Sequence, residues 1–193
     1  SAASGDTLHL EASPTSYTPG TTGVHVDKKL TILGPGYFLD GATGNANMQV
    51  NANTALIMNI FFDAGSDNSV ISGVQIGTGS GILHIRTSNI TVKRNYFLGR
   101  LYIDNTLPVS NILISSNYFS QQDFFGGGSA SVSSLIISNN HFSSSFLLNN
   151  NFQGVISQNV FEGGSINFFG NNQFYNNIIK NGIIITANNN DTT

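Results

Sequence analysis

The segment Asn111-Ile-Leu-Ile-Ser-Ser-Asn117-Tyr-Phe119 decides the fold, because related segments recur along the chain. In the clearest copies a short run with an apolar residue at every second position leads to an anchoring asparagine. A large apolar residue follows two positions later. The anchors, which are 22, 23, 19 and 18 residues apart, are Asn95, Asn117, Asn140, Asn159 and Asn177.

Two weaker copies precede these five. In residues 67–76 the alignment puts Gly73 at the anchor position, and in residues 29–38 it puts Pro35 there. The chain between the two copies is longer and irregular. We therefore predict a single domain over residues 1–193, with irregular N-terminal coils and a cap at 1–66, regular coils at 67–187 and a polar tail at 188–193.

The spacing of apolar residues within a copy predicts strands, because side chains at alternate positions lie on the same face of a strand. Gly, Asn and Ser separate these runs and are typical of tight turns and left-handed backbone conformations. A repeat of about 20 residues with several short strands and no helix is typical of one coil of a parallel β-solenoid. A leucine-rich repeat would need a regular leucine framework, which the copies lack. The predicted class is therefore all-β.

Stacked coils would place equivalent residues directly over one another, about 4.8 Å apart. The anchoring asparagines would then form an inward ladder, in which their amides bond to each other and to the backbone of the turns. Two positions later, an apolar column would supply much of the core. Its members are Phe97, Phe119, Phe142, Phe161 and Ile179.

The copies NITVKRNYF, NILISSNYF and SLIISNNHF resemble coils of right-handed parallel β-helix proteins of the pectate-lyase-like and NosD-like superfamily. Residues 5–41 resemble the first coils of exported surface proteins of the Bacteroidota, and the resemblance extends over residues 5–187. It implies a single-stranded right-handed parallel β-helix of roughly eight coils. That superfamily contains lyases, hydrolases, epimerases, adhesins and structural shafts, so the resemblance implies a fold and not an activity.

Localisation is predicted from composition and from this resemblance. The first residues are small and start at Ser1 without an initiator methionine, as a cleaved signal peptide or tag would leave them. We expect a secreted or cell-surface bacterial protein. Many exported proteins of this kind carry a C-terminal sorting domain that is not present in this sequence. We therefore expect this chain to be part of a longer protein.

Composition argues against several functional classes. Seven Lys and Arg against ten Asp and Glu give a formal charge of −3, and nucleic acid is not an expected partner because phosphate binding depends on clustered cations. With 39% hydrophobic residues the chain is not expected to be disordered. The longest apolar run, residues 55–62, is far shorter than the ~20 residues of a membrane helix, so no membrane insertion is expected. The absence of cysteine excludes disulfides and thiol nucleophiles.

A search for catalytic chemistry finds little. Calcium takes about six to eight oxygen ligands, and glycoside hydrolysis needs two carboxylates about 5 to 9.5 Å apart. The ten carboxylates are scattered, and the nearest pair, Asp63 and Asp67, flanks a Gly-Ser turn. His9 and His25 have no partner at metal-ligand spacing. We therefore predict no catalytic residues, no metal and no cofactor, and the balance favours a protein that is not an enzyme.

Two groups of side chains are candidates for binding an extracellular glycan. The main concentration of basic residues could bind an acidic glycan or supply a lyase base; a solvated face balanced by Asp104 is the alternative. The aromatic row directly after the anchors could stack on sugars or could pack as ordinary cross-strand neighbours. The basic group is His84, Arg86, Lys93, Arg94 and Arg100, and the aromatic group is Tyr96, Tyr118 and His141.

Self-association has two candidate routes. Leu113, Ile136 and Val155 would point outward on adjacent coils and form an apolar stripe of the kind that marks interfaces. Alternatively, a loop at residues 124–128 covers this stripe. The ends of a solenoid also expose backbone groups, so subunits could associate end to end.

The sequence therefore predicts a non-catalytic extracellular β-helix that serves as a surface, adhesive or self-assembling structural protein, including filament formation. The alternative is a polysaccharide lyase or other glycan-active enzyme. A further alternative is a glycan-binding module.

Overall fold

A computed structural model describes residues 2–18, 22–37, 53–104, 106–120, 124–127, 130–148, 151–169, 171–181 and 185–188. Within these residues the chain forms 23 short strands and no helix. Turns rich in Gly, Asn and Ser interrupt the chain every few residues and keep the strands short.

Three parallel sheets run along the molecule, and we call them A, B and C. Sheet A contains β1 (Thr7–His9), β3 (Thr31–Leu33), β6 (Val70–Ser72), β9 (Thr91–Lys93), β12 (Val109–Ser115), β15 (Val132–Ser138), β18 (Phe152–Ser157) and β21 (Asn172–Tyr175). Sheet B contains β4 (Leu56–Ile57), β7 (Gln75–Ile76), β10 (Tyr96–Phe97), β13 (Tyr118–Phe119), β16 (His141–Phe142), β19 (Val160–Phe161) and β22 (Ile178–Ile179). Sheet C contains β2 (Val24–Val26), β5 (Asn59–Phe62), β8 (Ile82–Ile85), β11 (Arg100–Asp104), β14 (Phe124–Gly127), β17 (Phe146–Leu148), β20 (Ile166–Phe169) and β23 (Ile185–Asn188).

Equivalent residues of successive copies pair directly in these sheets. Leu113 of β12, for example, is in register with Thr91 of the preceding coil and with Ile136 of the next. Because the chain visits sheets A, B and C in turn, it winds into a parallel β-solenoid of about seven turns. The predicted all-β solenoid is confirmed, with about seven turns where roughly eight coils were expected.

Alternate residues of all three sheets point inward and make one continuous core. A stack of phenylalanines from sheet B runs through it. The rings of Phe97, Phe119, Phe142 and Phe161 are buried, and successive ring centroids are 4.5, 4.7 and 5.0 Å apart. These separations follow the spacing between coils, so each ring packs on its equivalents in the neighbouring coils. The next member of the column, Ile179, is 38% exposed.

The anchoring asparagines line the turn between sheets A and B. Each Oδ1 accepts a hydrogen bond from the backbone N–H of the anchor one coil earlier, at 2.9 Å in all four steps of the ladder. Each Nδ2 donates to a strand carbonyl of the preceding coil, such as that of Val92 for Asn117. The buried amides are therefore paired, which makes asparagine acceptable inside this core. The ladder runs through Asn95, Asn117, Asn140, Asn159 and Asn177, of which the last is half-buried.

The residue before each anchor has a left-handed backbone, which turns the chain between sheets A and B. The φ angles lie between 54° and 58° at Arg94, Ser116, Asn139, Gln158 and Asn176.

The weaker copy at residues 67–76 places Gly73, with φ 74°, at this left-handed turn. Pairing of Val70 with Thr91 then puts Val74 beside Asn95, and the Val74 N–H donates to Asn95 Oδ1 at 3.2 Å. The alignment that placed Gly73 at the anchor is therefore wrong by one residue. A Cβ atom at Gly73 would lie 2.5 Å from the carbonyl oxygen of Gly34, so the close approach of two coils requires glycine here.

The irregular region expected at residues 1–66 contains strands that pair with regular coils, since β3 pairs with β6 and β5 with β8. Residues 38–52 of that region and residues 189–193 of the expected tail lie outside the described residues. Asn188 is the last residue of β23. In the part of the chain that the structure describes, no helix has the length and hydrophobicity to cross a membrane.

Candidate functional site

Polar and aromatic side chains gather on the outer face of sheet C. The parallel register stacks one column of side chains on four successive coils. A second column lies two positions further along the strands, on the same face because alternate residues point the same way. The first column is His25, Phe61, His84 and Tyr102, and the second contains Asp63, Arg86 and Asp104.

Arg86 is the centre of this group. Its Nη1 lies 3.0 Å from Asp63 Oδ1, and its Nε lies 3.5 Å from Asp104 Oδ2. The guanidinium carbon sits 4.8 Å from the centroid of the Phe61 ring, within the range of a cation–π contact. Two carboxylates on different coils and an aromatic ring therefore hold the guanidinium in place.

Asp63 binds a partner at each carboxylate oxygen. His25 Nδ1 is 2.6 Å from Oδ2, and Arg86 occupies Oδ1. Burial alone would raise the pKa of Asp63, but the hydrogen bonds and charges of His25 and Arg86 outweigh it and lower this pKa below its ordinary value. Asp63 is therefore an ionised acceptor at neutral pH and cannot act as a general acid.

His84 is a neutral donor in this arrangement. Arg86 Nη2 lies 3.2 Å from His84 Nδ1, and because a guanidinium can only donate, Nδ1 is the acceptor and the ring proton is on Nε2. Burial, helped by the charge of Arg86, lowers the pKa of His84 below 6.5. Among the described residues the buried Nε2 has no hydrogen-bond partner, and Asp104 Oδ2 lies 3.9 Å away.

An open depression of about 420 Å³ lies beside this group, lined by side chains of β8 and β11. The Tyr102 ring is tilted by 58° against the His84 ring, with centroids 4.6 Å apart. Burial and the charge of Asp104 raise the pKa of the Tyr102 phenol, so it stays protonated and can donate. The lining residues are Ile82, His84, Arg100, Tyr102 and Asp104.

The structure divides the basic group that the sequence proposed as a glycan site. His84, Arg86 and Arg100 lie together on sheet C with Asp104. Lys93 belongs to sheet A, where it pairs with Ser115, and Arg94 is an exposed turn residue. Only part of the proposed group therefore shares one surface.

Sequence reasoning missed the roles of His25 and Asp63. The sequence pairs Asp63 with Asp67, but its partners in the structure are His25 from the coil before and Arg86 from the coil after. The strands of sheet C share no motif that aligns them. The available signal was weak: a polar or aromatic residue next to the last apolar residue of β2, β5 and β8.

The rings of the aromatic row on sheet B pack against one another. Tyr118 stacks on His141 with centroids 4.5 Å apart and planes 16° apart, so these two rings cover each other's faces. Tyr96 meets Tyr118 edge to face at 5.6 Å. His141 Nε2 also lies 3.0 Å from Glu162 Oε2. This packing is that of cross-strand neighbours, which was the alternative to a sugar platform.

The apolar stripe on sheet A is narrow. Ile136 is 45% exposed, whereas Leu113 and Val155 on either side are half-buried. An isolated exposed aliphatic side chain is ordinary on protein surfaces and does not by itself mark an interface. The segment 124–128 was expected as a loop over the stripe, but Phe124–Gly127 forms β14 in sheet C, and residue 128 lies outside the described residues.

Within the described residues, no group of three or more His, Asp or Glu side chains is placed to hold a metal ion. The chain matches no family model, no curated protein and no solved structure.

Proposed function

We propose that this chain is a non-catalytic extracellular β-solenoid that binds a glycan in the depression on sheet C. The observation that carries the proposal is the meeting of four groups at one depression: His84, Arg100, Tyr102 and Asp104. Sugars need hydrogen-bond donors and acceptors for their hydroxyl groups and an apolar surface for their C–H faces. A concave site that combines a few placed polar groups with an aromatic ring supplies both.

The scaffold around the depression supports binding without rearrangement. β8 and β11 are in continuous parallel register from Ile82 and Arg100 to Ile85 and Ile103. The Arg86 network adds side-chain contacts across three coils. Groups that are already ordered lose less conformational entropy when a ligand binds, which favours affinity.

The same network supports a binding role over catalysis. A glycosidase needs one protonated carboxylic acid and a second free carboxylate. Asp63 is held ionised by His25 and Arg86, and Asp104 lies beside the Arg86 guanidinium. His84 has its Nδ1 lone pair engaged by Arg86 and a proton on Nε2, so in this tautomer it cannot accept a proton from a substrate.

An extracellular location and membership of the pectate-lyase-like and NosD-like superfamily are part of this proposal. The support is the scarcity of charge, with 9% charged residues, and the resemblance of the repeats to exported β-helix proteins. A surface or adhesive role would use the solenoid as a rigid carrier for the glycan site.

Affinity electrophoresis in gels that contain single polysaccharides tests the proposal. We expect at least one polysaccharide to retard the chain, without release of reducing ends or of unsaturated products. Tyr102→Ala should abolish the retardation, whereas Tyr118→Ala on sheet B, a matched loss of one half-buried tyrosine, should keep it. No retardation by any polysaccharide would reject a glycan-binding function.

A polysaccharide lyase is the second candidate, because His84, Tyr102 and Arg100 together offer an imidazole, a phenol and a guanidinium at one depression. Lyases combine a proton acceptor, a proton donor and a cation that stabilises developing negative charge. This candidate therefore requires His84 to lose its proton from Nε2, unlike the tautomer that Arg86 selects here. Absorbance of unsaturated products from uronic-acid polysaccharides would establish this candidate and overturn the non-catalytic proposal.

A further inference from the structure

The charges at the depression on sheet C balance. Among the described residues, its lining contains one carboxylate, Asp104, and one guanidinium, Arg100. His84 adds no charge at neutral pH, because its pKa is lowered by burial and by Arg86. The nearby Arg86 already contacts Asp63, His84 and Asp104. The described side chains of the site therefore supply no excess of cations for an acidic ligand, and Asp104 would repel a carboxylate or a sulfate placed against it.

Asp104 has acceptor capacity that its neighbours do not fill. Its side chain is only 21% exposed, and its charged-pair contacts among the described residues are Arg86 Nε at 3.5 Å and His84 Nε2 at 3.9 Å. Both distances exceed the usual range of about 2.7 to 3.2 Å for an N–H···O hydrogen bond. An ionised carboxylate offers about four lone-pair sites, so this one is suited to accept hydrogen bonds from hydroxyl groups.

Apolar surface lies next to this acceptor. Tyr102 and Ile82 line the same depression, and the phenol of Tyr102 stays protonated because burial and Asp104 raise its pKa. A sugar with two adjacent hydroxyl groups could place both on Asp104 while its C–H groups pack on Tyr102 or Ile82.

From this arrangement we infer that the ligand at sheet C is an uncharged saccharide whose adjacent hydroxyl groups bind the Asp104 carboxylate. The inference rests on the proposed glycan-binding function and names its ligand class. It departs from the acidic glycan that the basic residues of the sequence suggested.

Isothermal titration calorimetry of the full chain with two matched sets of oligosaccharides tests the inference. One set is neutral, such as gluco-, manno- and xylo-oligosaccharides, and the other is acidic, such as oligouronates and sulfated oligosaccharides. We expect saturable binding of at least one neutral sugar with an affinity that does not change between low and high salt. Asp104→Asn should weaken it by about tenfold or more, because hydrogen bonds to a charged group contribute about 1.5 to 3 kcal/mol.

Asp27→Asn is the matched control. Asp27 precedes Asp63 in the second column, but its side chain is 72% exposed and its Oδ1 lies 3.6 Å from Lys28 Nζ. This variant should bind as the unmodified chain does. If Asp104→Asn unfolds, amide chemical shifts of the unmodified chain decide the matter, and sugar-induced changes should be confined to β8, β11 and their neighbours.

The outcomes separate this inference from the function on which it rests. Binding of acidic sugars alone, weakened by salt and unchanged or strengthened by Asp104→Asn, would overturn the inference and leave the glycan-binding function standing. Neutral binding that Asp104→Asn leaves unchanged, or shift changes away from β8 and β11, would also overturn it. Binding of no sugar in either set would reject the function itself.

Discussion

Asn117 shows at the scale of one residue why asparagine recurs in this core. Its Oδ1 accepts from the backbone N–H and from Nδ2 of Asn95, while its own Nδ2 donates to Val92 O and to Asn140 Oδ1. One side chain thus satisfies polar groups on both neighbouring coils. Leucine at this position would leave those groups buried and unpaired, so an otherwise apolar core retains an amide at every coil of the ladder.

Asn117→Ala should lower the free energy of unfolding by about 2 kcal/mol or more, because the Asn95 N–H loses its acceptor and Val92 O loses a donor. Urea unfolding followed by circular dichroism measures the loss. Asn171→Ala is the matched control, since Asn171 is exposed and should change the stability little. Equal losses in both variants would contradict a structural role for the ladder.

His84 makes stability depend on pH. In the folded chain its pKa lies below the ordinary 6.5, so on acidification the unfolded chain binds a proton more readily than the folded one. This contribution is fully present above pH 6.5 and decreases as the pH falls below that value. Asp63 adds a second loss at lower pH, which begins near its ordinary pKa of 3.8 and continues through its lower folded pKa.

His84→Gln should therefore flatten the change in stability between neutral and mildly acidic pH, and leave the loss at lower pH in place. Urea midpoints measured across this pH range give the slope of stability against pH. His9→Gln, at an exposed histidine of β1, is the control. If His84→Gln keeps the slope of the unmodified chain, His84 is not its source.

The asparagine ladder can be predicted from the sequence, whereas the first column of sheet C cannot. The ladder asparagines follow a motif that repeats at nearly constant spacing, so their alignment can be made from sequence. His25, Phe61, His84 and Tyr102 occupy equivalent positions of sheet C, yet the chain between consecutive members differs in length by a factor of about two. Without a motif or a constant spacing, the contact between His25 and Asp63 could not be predicted.

At the scale of the element, the two-residue strands of sheet B depend on what they pack against. β13 contributes one inward ring, Phe119, and one outward ring, Tyr118. Phe119 is fully buried between Phe97 and Phe142, at centroid separations of 4.5 and 4.7 Å. A strand this short has few hydrogen bonds, so the buried ring supplies most of its stabilisation.

Phe119→Ala should lower the free energy of unfolding by about 3 to 5 kcal/mol, because it removes a buried ring and leaves a cavity between two others. Tyr118→Ala, the neighbouring change on the outer face, should cost only about 1 kcal/mol. Thermal and urea unfolding of the two variants provide the comparison. A larger loss from Tyr118→Ala would show that the outer row, and not the inner stack, holds sheet B together.

Strand register also explains the alignment error in the weak copy at residues 67–76. Gly73 resembles a substituted anchor in sequence, but its φ of 74° belongs to the turn residue before the anchor. In two of the other copies this turn is made by Arg94 and by Ser116, and none of the five clear copies has a glycine there. An alignment by residue type therefore cannot distinguish the two positions, whereas strand register can.

At the scale of the whole molecule, each coil is stabilised mainly by the coils on either side of it, as in other solenoids. β12 lies between β9 and β15 in sheet A, while β21 pairs with β18 alone among the described strands. Burial likewise decreases from the inner coils to the last described coil. Most residues at 171–181 are exposed, whereas β13 and alternate residues of β12 contribute to the core.

Backbone amides at 171–181 should therefore exchange with solvent at least about tenfold faster than those at 109–119, since an opening free energy lower by about 1.4 kcal/mol suffices for that ratio. Hydrogen exchange followed by mass spectrometry compares the two segments in one experiment. The amide of Asn159 is the probe, because the ladder bond to Asn177 Oδ1 links it to the exposed segment, and the amide of Asn95 is the internal control. Asn177→Ala should speed exchange at Asn159 and leave that at Asn95 unchanged if stabilisation passes only between neighbouring coils. Equal acceleration at Asn95 and Asn159 would instead mean that the ladder opens as one cooperative unit along the solenoid.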